Sequence, residues 1–308
     1  MKGLELCERY FRQIALPFFE KDCGSFLDRM AIGLAGDGSE CFGYDDEISR
    51  DHDWGPGFCI WLSRDVFDTF GKKIQAAYNK LPESFDGFVA RRTSQWGGGR
   101  VGVLEIGTFY RRFVGMDSAP QTLKQWLIIP ENALAAAVNG KVFQDPPGEF
   151  SAIRDALKAF YPEDVRLKKI AARCMTTGQA GQYNFPRCVK RNDLYAAQHA
   201  EFKFMEDAIS LLFLLNKRYT PFYKWSHRAL HELPIMGNYA HGKILGLLHT
   251  RDLHLKADQM ESLSLKLIDT LKRLGLSDSN SDFLPDHGPV VQGRIWDPEL
   301  RGYDVWVG

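Results

Sequence analysis

The chain has 308 residues, more than one typical domain and enough to bury a substantial core, so two domains are the default expectation. Lys plus Arg and Asp plus Glu number 39 each; a net charge of zero supplies no global field toward nucleic acid or an anionic membrane, so bulk polynucleotide binding is not indicated. The six cysteines, at 7, 23, 41, 59, 174 and 188, show no Cys-x-x-Cys pair, and the eight histidines complete no metal-ligand set with them. They read as reduced thiols. No uncharged apolar stretch reaches membrane-spanning length, and Glu5, Glu8 and Arg9 interrupt any export pattern early, so a soluble cytoplasmic protein is expected.

The predicted elements run in two textures. Leu4 to Phe19 places Leu4, Cys7, Tyr10, Phe11 and Ile14 at helical spacing. An apolar strand from Met30 to Ala35 follows, then a glycine turn, an extended segment through Asp51 and Asp53, a helix over Arg64 to Lys80, and a β-branched strand from Val101 bounded by Gly97, Gly98 and Gly99. From about residue 120 the pattern becomes helical: Leu123 to Val138, Phe150 to Phe160, Asp164 to Met175, Asp193 to Leu215, Tyr239 to Leu248 and Met260 to Leu274, with no convincing strand among them. Ser277 to Gln292 reads as a loop before a tail carrying Trp296, Tyr303 and Trp306. The expected fold is α+β, a mixed sheet with helices over 1–120 followed by an all-α helical-bundle domain over 121–308.

The chemistry concentrates near residues 36 to 53. Gly-Asp-Gly-Ser-Glu occupies 36 to 40, and Asp51-His52-Asp53 follows. Residues two apart on a strand share a face, so Asp51 and Asp53 would aim their carboxylates together, with His52 away. Two such charges call for a cation, and hard oxygen ligands suit Mg²⁺, which completes its shell with water and substrate phosphates. A turn built on Gly36, Gly38 and Ser39 can present N–H groups and a hydroxyl to an anion. Taken singly, each half is more often an ordinary turn, a solvated loop or a capping site; it is their combination, in order and at this spacing, that points to a site.

Gly-Ser, a gap of about ten and Asp-x-Asp, in that order, resemble the signature of the DNA polymerase beta nucleotidyltransferase superfamily. The longer string from Gly43 to Phe58, with Lys217 to Trp225, is similar to a group of bacterial nucleotidyltransferase-like proteins that carry a C-terminal helical domain. The resemblance implies a nucleotidyltransferase fold, an NTP donor (ATP in the first instance), a pair of Mg²⁺ ions and transfer of a nucleoside monophosphate to an acceptor with release of pyrophosphate. It also implies a third carboxylate on a neighbouring strand, for which Glu105 is the candidate, as metal ligand or general base; the bland alternative is a strand-face carboxylate paired with Arg111 or Arg112. Trp54-Gly55-Pro56-Gly57 departs from the family pattern, since proline cannot donate to a central ladder, and predicts a bulge or break just after Asp53.

The helical part is expected to close the site. Gly178 to Arg187 reads as a polar, glycine-bearing break between helices, after which Arg187, Lys190 and Arg191 would share one side of a helix start, where an anion would offset their opposition to the dipole. Lys224, flanked by Tyr223 and Trp225, is the position matched to the family's phosphate-contacting lysine, against the alternative of a lysine snorkelling over aromatics. His227 and His231 form a two-histidine face read as structural. The resulting expectation assigns Asp51, Asp53 and Glu105 to metal and catalysis, and Gly38, Ser39, Arg187, Arg191 and Lys224 to the nucleotide. The acceptor is a small molecule, such as an aminoglycoside-like compound, with protein or tRNA nucleotidylation, or nucleotide binding without turnover, as alternatives.

Overall fold

The computed structural model describes every residue except His52, Ala90 and 92–98, and the backbone alone of Cys23; Gly97 and Gly98 of the expected turn thus lie outside the described residues. In chain order the elements are α1 Gly3–Tyr10, a π turn Phe11–Ala15, α2 Leu16–Cys23, β1 Ala31–Leu34, β2 Cys59–Leu62, α3 Arg64–Tyr78, β3 Ser84–Phe85, β4 Phe88–Val89, β5 Gly102–Glu105 and α4 Ile106–Val114. There follow α5 Leu123–Ile128, α6 Glu131–Val138, β6 Lys141–Gln144, α7 Glu149–Lys158, α8 Glu163–Gly178, a π turn Gln179–Asn184, α9 Phe185–Lys190 and α10 Leu194–Leu215. The chain ends with α11 Tyr223–Leu230, α12 Gly237–His249, α13 Leu253–Arg273, α14 His287–Gln292 and α15 Pro298–Arg301. The architecture is α+β: a small mixed sheet with helices, and a C-terminal part whose regular elements are helices among the described residues. No helix among the described residues is long and apolar enough to cross a membrane.

Two compact units divide the chain, one of Met1–Pro120 with Ala133–Ala159, the other of Gln121–Asn132 with Phe160–Gly308. In the first, the sheet order is β5-β2-β1-β6, with β1 antiparallel to both neighbours and β2 parallel to β5. Every residue of β1 and β2 is buried, as their unbroken apolar runs require. Gly33 is needed in β1 because a Cβ there would stand 2.4 Å from the Lys141 carbonyl and 3.0 Å from the Trp61 ring. The β6 strand corrects the reading that no strand follows residue 120: Lys141-Val-Phe-Gln is short and pairs across a bulge in the β1 ladder, so its identity comes from its partner. Phe150 of α7 stacks on Trp61 at 3.8 Å between centroids, fixing this later stretch to the sheet core.

Proline explains two irregular helices. The expected helix from Leu4 to Phe19 forms as α1 and α2 joined by a π turn, because Pro17 lacks an N–H and its ring would strike the carbonyl four residues back. Pro186 does the same after α8: the glycine-bearing segment predicted as a break is a π turn that carries α8 into α9. Its glycines serve packing, since a Cβ on Gly181 would lie 2.3 Å from Phe204 and one on Gly178 2.2 Å from Pro285. Likewise Pro130 divides the single helix expected over Leu123 to Val138 into α5 and α6.

In the second unit α8 packs against α10, α14 and α15 and is buried on nearly all sides. Its fully buried Lys168 donates to Gln292 Oε1 (2.8 Å) and to the Asp304 carbonyl (2.7 Å). Burial lowers its pKa to about 8, against an upward pull from Asp304. The folded chain therefore releases this proton near pH 8 and the unfolded chain nearer 10.5, so this group's penalty is full below pH 8 and is relieved as pH rises through that window. Urea unfolding should show the wild type gaining stability across this interval relative to Lys168→Met; parallel pH profiles would contradict the assignment.

Candidate functional site

The turn after β1 and the loop before β2 lie at one end of the sheet, because Gly33 pairs with Cys59 in the antiparallel ladder. Gly36 has φ of 121°, open to glycine alone, and Asn139 grips it from both sides, accepting from its N–H (2.8 Å) and donating to its carbonyl (2.6 Å). Gly140 donates to the Cys41 carbonyl (2.8 Å), while Arg154, itself buried, donates to the carbonyls of Asn139 (2.9 Å) and Gly140 (3.0 Å). The clamp leaves the N–H groups of Asp37 and Gly38 with no protein acceptor among the described residues.

Gly38 is required for a reason other than phosphate approach: the Glu40 carboxylate fills the space of its side chain, 2.4 Å from an ideal Cβ. Glu40, 2% exposed, accepts from Arg91 Nη1 at 2.5 Å. The same nitrogen donates to the Asp53 carbonyl (3.0 Å), and Arg91 Nη2 to Cys7 Sγ (3.2 Å). Burial opposes the guanidinium charge, but the Cys7 sulfur and the Glu40 carboxylate hold its pKa above the usual value. Burial pushes the Cys7 thiol upward, so it stays neutral and Glu40 is the counter-ion.

Asp51 and Asp53 depart from the expected strand. Asp51 ends a 3-10 turn with φ −70° and is exposed, whereas Asp53 is buried with φ of 53°. His52 lies outside the described residues. Gly55 at φ 137° and Gly57 at φ 159° turn the chain, and β2 begins only at Cys59, so the predicted break falls across the whole segment. Trp54, buried, donates to Asp45 Oδ2 (3.1 Å), which also accepts from Gly3 N–H (2.7 Å), anchoring the loop. Asp53 Oδ2 sits 3.6 Å from Arg100 Nη1.

Glu105 is not with them. Arg100 precedes β5 and Glu105 ends it, so about three strand steps, or ~10 Å, separate Glu105 from the end where Asp53 lies. Its side chain caps α4, accepting from Gly107 N–H (2.9 Å), Thr108 N–H (2.6 Å) and Thr108 Oγ1 (2.6 Å), with Arg64 at 3.4 Å. Burial alone would raise its pKa; the Thr108 and Gly107 hydrogen bonds hold it below the usual range, which makes it a weak base. The expected partners are engaged elsewhere, Arg111 with Asp117 and Arg112 with Asp37 at 2.5 Å.

What the structure brings to the glycine turn instead is three arginines. Arg91, Arg100 and Arg112 line a cavity with Leu34 to Gly38, Glu40, Cys41, Gly99, Phe109 and Phe113. Ser39 is half-buried and not on its wall. The Nε atoms of Arg91 and Arg100 are buried and meet no acceptor among the described residues. Free space amounts to about 10 Å³, room for one water, and the exposed Arg112–Asp37 pair stands at its wall. Sequence reading missed this set because its members lie far apart in the chain; Arg100 at the edge of a predicted strand was the nearest signal.

The other nominated cations lie in the second unit. Arg187 and Lys190 occupy the last turn of α9 and Arg191 its C-cap, not a helix start, so the dipole favours them without a bound anion; Arg187 also stacks over Tyr183 at 4.7 Å. Lys224 is exposed, 5.9 Å from the Trp225 ring, and Tyr223 is 75% exposed, which is the snorkelling arrangement rather than a desolvated ammonium. His227 and His231 gain His241, with centroids at 4.2 and 5.1 Å, yet no group among the described residues is arranged to hold a metal ion. This unit also contains a part-buried polar network: Glu131 accepts from Ser210 Oγ (2.9 Å) and Thr220 Oγ1 (2.5 Å), with Arg173 at 3.6 Å.

Residues 126–226, about a third of the chain, match the family described as Domain of unknown function (DUF4037). No curated protein matches. Among solved structures the chain is similar to the crystal structure of a nucleotidyltransferase-like protein from Exiguobacterium sibiricum 255-15, with TM-score 0.36 and 12% identity over 87% of this chain and 79% of that one. So distant a likeness assigns no residue a role.

Proposed function

We propose that the turn from Gly36 to Glu40, with Arg91, Arg100 and Arg112, receives the phosphates of an NTP, and that the chain transfers a nucleoside monophosphate to an acceptor. The observation that carries this is three guanidinium side chains, those of Arg91, Arg100 and Arg112, lining a small cavity with a clamped glycine turn, an arrangement complementary to phosphate oxygens. The order Gly-Ser, gap, Asp-x-Asp, with both parts at the same end of the sheet, supports the same reading.

The residues present fit Mg²⁺ brought with its nucleotide better than a resident ion. Two carboxylates, Asp51 and Asp53, would hold it, the remaining oxygens coming from phosphate and water; Asp53 must first exchange Arg100 for the metal. When bound, the metal supplies Lewis-acid stabilisation of the phosphoryl group. In the transfer an acceptor oxygen or nitrogen bonds to the α-phosphorus, the bond to the bridging oxygen breaks, pyrophosphate leaves and the acceptor's proton passes to solvent. The arginines neutralise the charge that develops on the leaving group. ATP as donor and a small-molecule acceptor remain the favoured pair, with protein or tRNA as the other acceptor classes.

A nucleotide-binding regulator without turnover is the second reading, favoured by Glu105 lying away from the aspartates and by the Asp53–Arg100 pair. Incubation of the full chain with each α-labelled NTP, Mg²⁺ and a panel of hydroxylated amines, proteins and tRNA separates the two. Transfer of label with equimolar pyrophosphate release supports the enzyme; saturable binding with no transfer to any acceptor supports the regulator.

A further inference from the structure

The glycine turn owes its shape to residues outside it. Asn139 and Gly140, consecutive residues just before β6, reach both ends of the segment from Gly36 to Cys41. At one end the Asn139 side chain takes both peptide groups of Gly36, accepting from the N–H (2.8 Å) and donating to the carbonyl (2.6 Å). At the other the Gly140 N–H donates to the Cys41 carbonyl (2.8 Å). Gly140 has φ of 65°, and a Cβ on it would collide with the Leu34 carbonyl, so glycine alone brings this backbone so close to the end of β1. Both residues lie beyond position 120, so a later stretch of the chain brackets the turn.

Arg154 of α7 supports this bracket from behind. Its side chain is 4% exposed and meets no carboxylate at ion-pair distance among the described residues; the guanidinium is spent on the carbonyls of Asn139 (2.9 Å) and Gly140 (3.0 Å). Asn139, Gly140 and Arg154 are absent from the wall of the arginine-lined cavity, whereas Gly36, Asp37 and Gly38 form part of it. The three can therefore act on an occupant of that cavity only through the turn. Inside the turn, Gly36 stands at φ of 121° and the N–H groups of Asp37 and Gly38 meet no protein acceptor among the described residues, so the backbone between the bracketed ends does not close on itself. A binding segment of that kind keeps its geometry only if rigid neighbours hold it.

We propose that Asn139 is a positioning residue for the phosphate site, fixing Gly36 and through it the course of the turn against Arg91, Arg100 and Arg112 without touching the ligand. The role rests on the reading that the turn receives the phosphates of an NTP. Mg²⁺–ATP and AMP titrated into the ¹⁵N-glycine-labelled full chain, as wild type and as Asn139→Ala, test it. In the wild type ATP should shift the Gly38 N–H resonance saturably. Asn139→Ala should move the Gly36 and Gly38 resonances before any ligand is added and weaken ATP by about ten- to a hundredfold, the scale that a misplacement of about 1 Å brings, with AMP affected less. Asn139 is half-buried, and unchanged resonances of the glycines outside the turn would verify that the fold is kept. Asn139→Asp, which keeps the size and the acceptor for the Gly36 N–H, puts the same question if the alanine chain does not fold. Equal ATP affinity in the wild type and a folded variant, or equal losses for ATP and AMP, would overturn the positioning role alone. Absence of ATP binding to the wild type would overturn the phosphate reading and this role with it.

Discussion

Replacing Arg91 by alanine should destabilise the first unit by about 3–5 kcal/mol, the usual consequence of leaving one member of a buried ion pair behind. Glu40 would remain 2% exposed with no cation, and the Asp53 carbonyl and Cys7 sulfur would each lose a donor. Because the penalty comes from the stranded carboxylate, removing both charges together, as Arg91→Met with Glu40→Leu, should recover much of the loss. Urea unfolding followed by tryptophan fluorescence measures this through Trp54 and Trp61, both in the unit. A midpoint shift corresponding to less than about 1 kcal/mol for Arg91→Ala would mean that the pair does not hold the turn.

Asp53→Asn should keep the fold and lose transfer by several orders of magnitude. Asparagine accepts the left-handed backbone that Asp53 adopts at φ 53° and matches the size of the side chain it replaces, so the fold is kept. A neutral amide would hold a hard cation poorly, and the transferring phosphoryl group would then lose its Lewis-acid stabilisation. Asp51→Asn should behave in the same direction, its exposed position making any structural effect smaller still. Transfer by Asp53→Asn at close to the wild-type rate would remove this carboxylate from the chemistry.

How much of this was legible in the sequence depended on whether the determinant was local. β1, β2 and β5 declared themselves as apolar runs, and the long helices α3, α8, α10 and α13 by their periodicity, because burial on one or both faces is written into consecutive residues. The two π turns were hidden, although Pro17 and Pro186 marked where each had to end. β6 was illegible because Lys141 to Gln144 becomes a strand by pairing with β1, more than a hundred residues earlier. The Asp-x-Asp was misjudged as extended since alternation suggested a strand, while the positive φ of Asp53 answers to Gly55, Pro56 and Gly57 downstream and to Arg91 and Arg100 across the site. Glu105 was found in the right strand, but its cap was not read: as the last strand residue before a helix it meets the α4 N–H groups first. The arginine set escaped entirely, since nothing in the sequence links positions 91, 100 and 112 to the turn at 36.

Calorimetric titration of Mg²⁺–ATP into the wild-type chain and into Arg100→Gln tests the central claim most directly. Arg100 is part-exposed, so its loss spares the fold, and its side chain lines the cavity beside the glycine turn. The account predicts saturable triphosphate binding by the wild type, weakened about ten- to a hundredfold by the substitution, with AMP affected far less. Absence of triphosphate binding to the wild type, or equal affinity in the two chains, would contradict it.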